Sequence, residues 1–185
     1  MRRILTIMVS MMLLTLSVSA REYSVSGPQG GLSLKLSLPK GFNPDADSCH
    51  MVILMHGIFS SKDYPPMPQI AKALAKEGIG SIRFDFDPKD PPEYIKYFHH
   101  FKLGRNYLLQ TQDLDIYETA ERYQGPVCII HGSRDGIVPL WCSEKYQAIY
   151  SDSRMNIVEG ENHLIIKKRK EVIRIILDFL KDTLK

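Results

Sequence analysis

Little in this sequence suits a nucleic-acid partner, a metal centre or a membrane span. Charge is the first shortage: 24 Lys and Arg against 21 Asp and Glu leave a formal +3 over 185 residues. That excess is too slight for the basic face that phosphate backbones select. The one basic run, Lys167-Lys168-Arg169-Lys170, reads as the solvated start of the last helix. Cysteine is scarce too. Cys49, Cys128 and Cys142 include no pair with metal-ligand spacing, and an odd count permits at most one internal disulfide. Cys128 lies inside an apolar run and reads as a small core residue, while a Cys49–Cys142 bridge stays open. His99 and His100 are adjacent, so they point apart on a helix or strand, and no third ligand stands at a suitable spacing. No cofactor is expected. Repeats and low-complexity linkers are absent.

The longest apolar stretch is also too short to cross a bilayer, which takes roughly 20 apolar residues. It lies in MRRILTIMVSMMLLTLSVSA, where Arg2 and Arg3 precede an apolar middle and small residues close the segment. That pattern describes a secretory signal peptide over residues 1–20, cut after Ala20. No cysteine follows the cut, so a lipid anchor is not expected. The remaining residues 21–185 suffice for one domain with its own core. Without Arg2 and Arg3 their formal charge is +1. The expected location is periplasmic or extracellular.

What is present is an alternation of strands and helices. EYSVSGPQGGLSLKLSLP carries Leu32, Leu34, Leu36 and Leu38 at every second position after a GPQGG turn, the pattern of an antiparallel hairpin. MVILM at 51–55 is apolar throughout, as a strand covered on both faces is. Pro65, Pro66 and Pro68 introduce a helix through QIAKALAKEG with Gly78 as its stop, and GSIRFDF at 80–86 is a strand. Residues 87–126 are proline-rich, then aromatic and amphipathic, and predict one or two helices, one of them near DIYETAERY. VCIIH predicts a strand, WCSEKYQAIY a helix and RMNIVEG a strand. KEVIRIILDFLKDTLK predicts a last helix burying Val172, Ile176, Phe179 and Leu180. The fold class is α/β, with a mainly parallel sheet, an N-terminal antiparallel hairpin and flanking helices.

In such sheets chemistry sits in the loops at the carboxyl ends of strands. Three loops qualify: HGIFSS from His56, HGSRDGIVP from His131, and ENHL with His163. Asp135 and His163 follow sequential parallel strands, which a right-handed crossover places side by side or nearly so. A carboxylate accepting from an imidazole fixes its tautomer and stabilises the imidazolium formed in proton transfer. His56 and His131, each before a glycine, read as residues that shape strand-end turns. Tyr94, Tyr97, Phe98 and Phe101 form an aromatic cluster that fits an old substrate pocket or a plain core stripe equally well.

HGIFSS, HGSRDGIVP and GENHL, in that order, resemble the α/β-hydrolases, and within them the cinnamoyl/feruloyl esterase branch with its serine-peptidase-like relatives. The stretch FKLGRNYLLQ…DIYETAERYQGPVCIIHG is similar to that branch's passage out of its cap, so residues 87–126 correspond to a cap remnant. The resemblance implies Asp135 and His163 as catalytic acid and histidine, and the backbone N–H of Ile58 as an oxyanion donor. It implies a small-molecule ester as the partner.

The nucleophile is missing. The family carries it in G-x-S-x-G, a strained strand-to-helix turn. Ser33 in GLSLK lies in the hairpin and Ser133 in GSRDG has the wrong phase. None of the three cysteines falls on a strand-to-helix turn. The interval from His56 to Asp135 is roughly 80–100 residues shorter than the family architecture needs, which places an in-frame internal deletion near Asp87. Two central strands go with it. The expected response is direct pairing of MVILM with VCIIH, because unpaired apolar edges invite aggregation. A truncated esterase with weak or no activity, a non-catalytic ligand- or partner-binding pseudoenzyme, and a site completed by another chain are the readings that remain.

Overall fold

The structure is a computed structural model that describes residues 20–27, 30–57, 60–85, 94–97, 101–104 and 115–185. The signal-peptide segment, Ile58, the expected junction at Asp87, Phe98 and the His99-His100 pair lie outside them. The elements run β1 (Arg21–Gly27), β2 (Gly30–Ser37), β3 (Met51–Leu54), α1 (Met67–Lys76), β4 (Gly80–Phe84), β5 (Tyr94–Tyr97) and β6 (Phe101–Gly104). They continue with α2 (Ile116–Glu121), β7 (Val127–Gly132), α3 (Leu140–Ile149), β8 (Ser153–Val158) and α4 (Arg169–Thr183).

The expected hairpin is present: β1 pairs antiparallel with β2, Arg21 opposite Leu36. Strand β2 then pairs antiparallel with β4, and β4 parallel with β3, giving the order β1-β2-β4-β3. Strands β7 and β8 form a separate parallel pair, with Val127 opposite Ser153.

Two expectations are corrected here. Direct pairing of MVILM with VCIIH does not occur: β3 is the last strand of the first sheet, and β7 pairs with β8 alone. The two groups of strands are joined instead by α4, which packs on α1. Second, β5 and β6 are an antiparallel hairpin rather than helix, with Tyr94 opposite Gly104. The β-branched and aromatic residues of YIKY favour an extended chain. The helix expected near DIYETAERY does form as α2. Asp115 caps it by accepting from the N–H groups of Tyr117 at 2.8 Å and Glu118 at 3.1 Å.

Helix α1 shows how local sequence builds the core. Pro68 lies in its first turn, and Ile70, Ala71, Leu74 and Ala75 form its buried stripe. Gly78 ends it at φ +79°, a conformation that favours glycine. Ile79 N–H then donates to Leu74 O at 3.0 Å and Gly78 N–H to Ala75 O at 3.4 Å, a Schellman stop. This turn delivers Ile79 into the cluster of Ile70 and Leu74. Val52 and Leu54 pack on that cluster from β3, and Ile173, Ile176, Leu177, Leu180 and Leu184 from the C-terminal segment. Helix α4 therefore joins the second half of the molecule to the first, with Lys181 Nζ 2.8 Å from Glu77 Oε2 at the rim.

Only one face of β3 benefits. Val52 and Leu54 are half-buried, whereas Met51, Ile53 and Met55 are exposed, Ile53 at 64%. The expectation that this strand is covered on both faces fails because no described element packs on its second face. All three cysteines are free thiols, so the Cys49–Cys142 bridge is absent. Cys128 is half-buried on β7 and its thiol is pushed up by burial. No helix among the described residues is long and apolar enough to cross a membrane.

Candidate functional site

The loops after β7 and β8 are fastened to each other by their backbones. Ser133 N–H donates to Val158 O at 3.1 Å and Arg134 N–H to Glu161 O at 2.8 Å. Gly160, at φ +75°, donates its N–H to Ser133 Oγ at 2.8 Å. Ser133 thus serves the loop junction, in keeping with its wrong phase for a nucleophile. Gly132 makes the approach possible, because a Cβ there would stand 2.5 Å from Glu161 O and 2.6 Å from Asn162 O. No side chain fits between this strand end and the opposite loop.

Glu161 supplies the second fastening. Its carboxylate is buried and accepts from the N–H of Lys167 at 3.1 Å and of Lys168 at 2.9 Å. Lys168 is the N-cap position of α4, whose own side chain makes no cap. A buried carboxylate satisfies orphan donors there and sits favourably at the positive end of the helix dipole.

Between these ties the loops bring Asp135 and His163 together, with Oδ2 and Nδ1 2.9 Å apart. The Asp135 side chain is 6% exposed and that of His163 43%. Asp135 Oδ1 accepts from the N–H groups of Ile137 and Val138, both at 2.9 Å, which locks the turn and leaves Oδ2 for the histidine. Burial pushes the Asp135 carboxyl up, but the Val138 N–H, His163 and the Ile137 N–H outweigh it and hold it below the usual carboxylate range. With the carboxylate ionised, Nδ1 of His163 carries the proton and Nε2 presents its lone pair outward. This is the arrangement of a histidine ready to accept a proton.

His131 supports the turn from beneath. Nε2 lies 3.1 Å from Val138 O, so it must donate, and Nδ1 then accepts from Ser143 Oγ at 2.7 Å. The ring is buried and its Nε2 is 3.7 Å from Asp135 Oδ2. Its expected role in shaping the strand end is the one it fills.

The other strand-end loop is built differently. His56 Nδ1 donates to Gly57 O at 2.8 Å and Nε2 lies 3.7 Å from Asp85 Oδ1. Asp85 also accepts from Lys62 N–H at 2.6 Å and Lys62 Nζ at 2.5 Å. These ties set the end of β3 against the end of β4. The oxyanion donor assigned to Ile58 lies outside the described residues.

Among the described residues no hydroxyl or thiol hydrogen-bonds to His163 Nε2. No three His, Cys, Asp or Glu side chains among them converge to hold a metal. A depression of about 400 Å³ between the β2–β3 loop and Gly78 lies at the other end of the first sheet, away from Asp135 and His163. The sequence reading missed Gly132, Glu161 and Ser143, whose partners come from the next loop or helix. The glycine after His131 was the only visible signal among them.

No protein-family profile matches the chain, and neither does any curated protein. Solved structures do. Est1E from Butyrivibrio proteoclasticus superposes with a TM-score of 0.77 at 15% identity, over 90% of this chain and 99% of that one. The fold is that of the α/β-hydrolases. An esterase from an Arctic intertidal metagenomic library gives a TM-score of 0.64 at 14% identity, over 94% of this chain and 97% of that one. An α/β serine hydrolase homologue from Coxiella burnetii gives 0.61 at 18%, over 90% and 100%. Against this fold the present sheet is shortened, and β3 and β7 belong to separate groups of strands.

Proposed function

We propose that this chain is a carboxylic-ester hydrolase of feruloyl-esterase type reduced to the acid–histidine half of its site. Asp135 orients His163, and His163 Nε2 acts as a general base toward water. The observation that carries the reading is the 2.9 Å contact between a buried, turn-locked carboxylate and a half-exposed imidazole. The ester class is supported by the hydrolase neighbours, one of which, Est1E, has been solved with ferulic acid bound. Export through residues 1–20 and a periplasmic or extracellular location belong to the same proposal, as does a small ester as the ligand.

Without a serine in a G-x-S-x-G turn the chain forms no acyl-enzyme. General-base help alone contributes roughly 10²–10⁴-fold, far short of a complete serine hydrolase. The second reading is a pseudoenzyme that binds an ester-like ligand or a partner without turnover, and the lack of a hydroxyl or thiol on His163 Nε2 among the described residues favours it equally. Hydrolysis of p-nitrophenyl and feruloyl esters separates the two. Weak turnover without a burst, abolished in His163→Ala and reduced in Asp135→Asn, supports the first reading. Turnover at the buffer rate, with ligand still bound, supports the second. A stoichiometric burst would overturn both.

A further inference from the structure

At the opposite end of the first sheet, two sulfur atoms converge where neither the fold nor the proposed reaction needs them. Cys49 Sγ and Met51 Sδ lie 3.8 Å apart. They occupy alternate positions where the chain enters β3, so both side chains leave the strand on one face. That face meets Gly80, the register partner of Met51 on β4. A Cβ on Gly80 would come within 2.3 Å of Met51 Sδ and 3.2 Å of Cys49 Sγ. The bare glycine backbone is what leaves both sulfurs room. Leu38 Cδ2, 3.2 Å from the same point, makes the surroundings apolar. Cys49 also lines the depression of about 400 Å³, together with Asp47, Ser48 and Gly78, and Met51 is itself exposed, so solvent reaches both sulfur-bearing residues.

We propose that Cys49 and Met51 form a binding site for a soft monovalent cation, Cu(I). A thiolate and a thioether are the ligand pair that selects Cu(I) over hard cations such as Mg²⁺ or Ca²⁺. The spacing fits: two metal–sulfur bonds of about 2.3 Å closing a 3.8 Å gap subtend about 110° at the ion. That angle leaves a further position facing the depression, open to solvent or a small exogenous ligand. Binding converts the Cys49 thiol to a thiolate, so one proton leaves for each ion taken up, and the copper keeps its oxidation state. His50 between them points to the other side of the strand and takes no part.

The test is anaerobic titration of the full chain with Cu(I) held by bicinchoninate, in a Cys128→Ser, Cys142→Ser background that removes the other thiols. One equivalent of Cu(I) should transfer to the protein. Met51→Leu should weaken the transfer by about tenfold and Cys49→Ser by more, because each removes one soft ligand. Circular dichroism of the apo-proteins checks that the fold is kept. X-ray absorption of the loaded protein should show two sulfur neighbours. No transfer to the double-serine protein overturns the proposal. So does transfer that Met51→Leu leaves unchanged, since the ion would then be held by a cysteine alone.

Discussion

Strands β3 and β7 both end in histidine and glycine, His56-Gly57 and His131-Gly132, yet the two ends are held in different ways. At β7 each part meets a partner from its own half of the molecule. His131 is bonded through both nitrogens, Gly132 lies against the backbone of the His163 loop, and Asp135 accepts three hydrogen bonds. At β3 a Cβ on Gly57 would meet nothing within 4 Å, and Ile53 and Met55 on the same strand are exposed. The difference teaches that the Asp135–His163 contact is assembled by contacts made around β7 and β8 themselves. The positioning contacts run between the ends of β7 and β8, Ser143 of α3 and the start of α4, and none of these comes from the first sheet.

Substitutions at the two strand ends can break this contrast. The largest effect is expected for Gly132→Ala, whose new methyl meets backbone carbonyls that cannot rotate away. We expect a loss of about 3 kcal/mol in denaturant unfolding and loss of the Asp135–His163 contact. Glu161→Ala comes next, at about 1–2 kcal/mol, because the first N–H groups of α4 lose their acceptor. A smaller, pH-dependent change is expected for Asp135→Asn. The native carboxyl titrates below its ordinary value, so its contribution is complete above the unfolded pKa of about 3.9 and fades as pH falls through the lower native value. The stability gap between wild type and Asp135→Asn should therefore hold from pH 7 to about pH 4 and narrow as the pH falls further.

At the β3 end the expected effects are slight. Ile53→Thr should change stability by less than about 0.5 kcal/mol, because its side chain is 64% exposed. It should also reduce any concentration-dependent association seen by sedimentation, since an apolar open edge is what drives strand pairing between molecules. Gly57→Ala should be nearly silent in unfolding experiments. A large loss there, matching that at Gly132, would erase the contrast.

Much of this was legible in the chain itself. Asp135 and His163 could be paired from sequence because each follows an apolar run in a βαβ order, and topology does the rest. Strand β3 reads as doubly covered because MVILM carries its apolar pattern on both faces whether or not a layer is present. The β5–β6 hairpin is not foreseen within 87–126 because aromatic, amphipathic stretches with lysines suit either period when short. Glu161 is invisible for another reason, and Gly132 shows only as a glycine after His131: their work is done against backbone atoms, which every sequence has. The failure of β3 and β7 to pair lies deeper still. Edge pairing depends on where α1 and α4 anchor the two groups of strands, and that is a property of the whole packing.

The central claim is that Asp135 holds His163 in one tautomer with only the contacts made around β7 and β8. Nitrogen-15 NMR of the His163 imidazole tests it most directly. The account predicts a protected, downfield-shifted Nδ1–H proton at neutral pH that disappears in Asp135→Asn, with Nε2 unprotonated. An imidazole exchanging freely between tautomers, unchanged by Asp135→Asn, would contradict it.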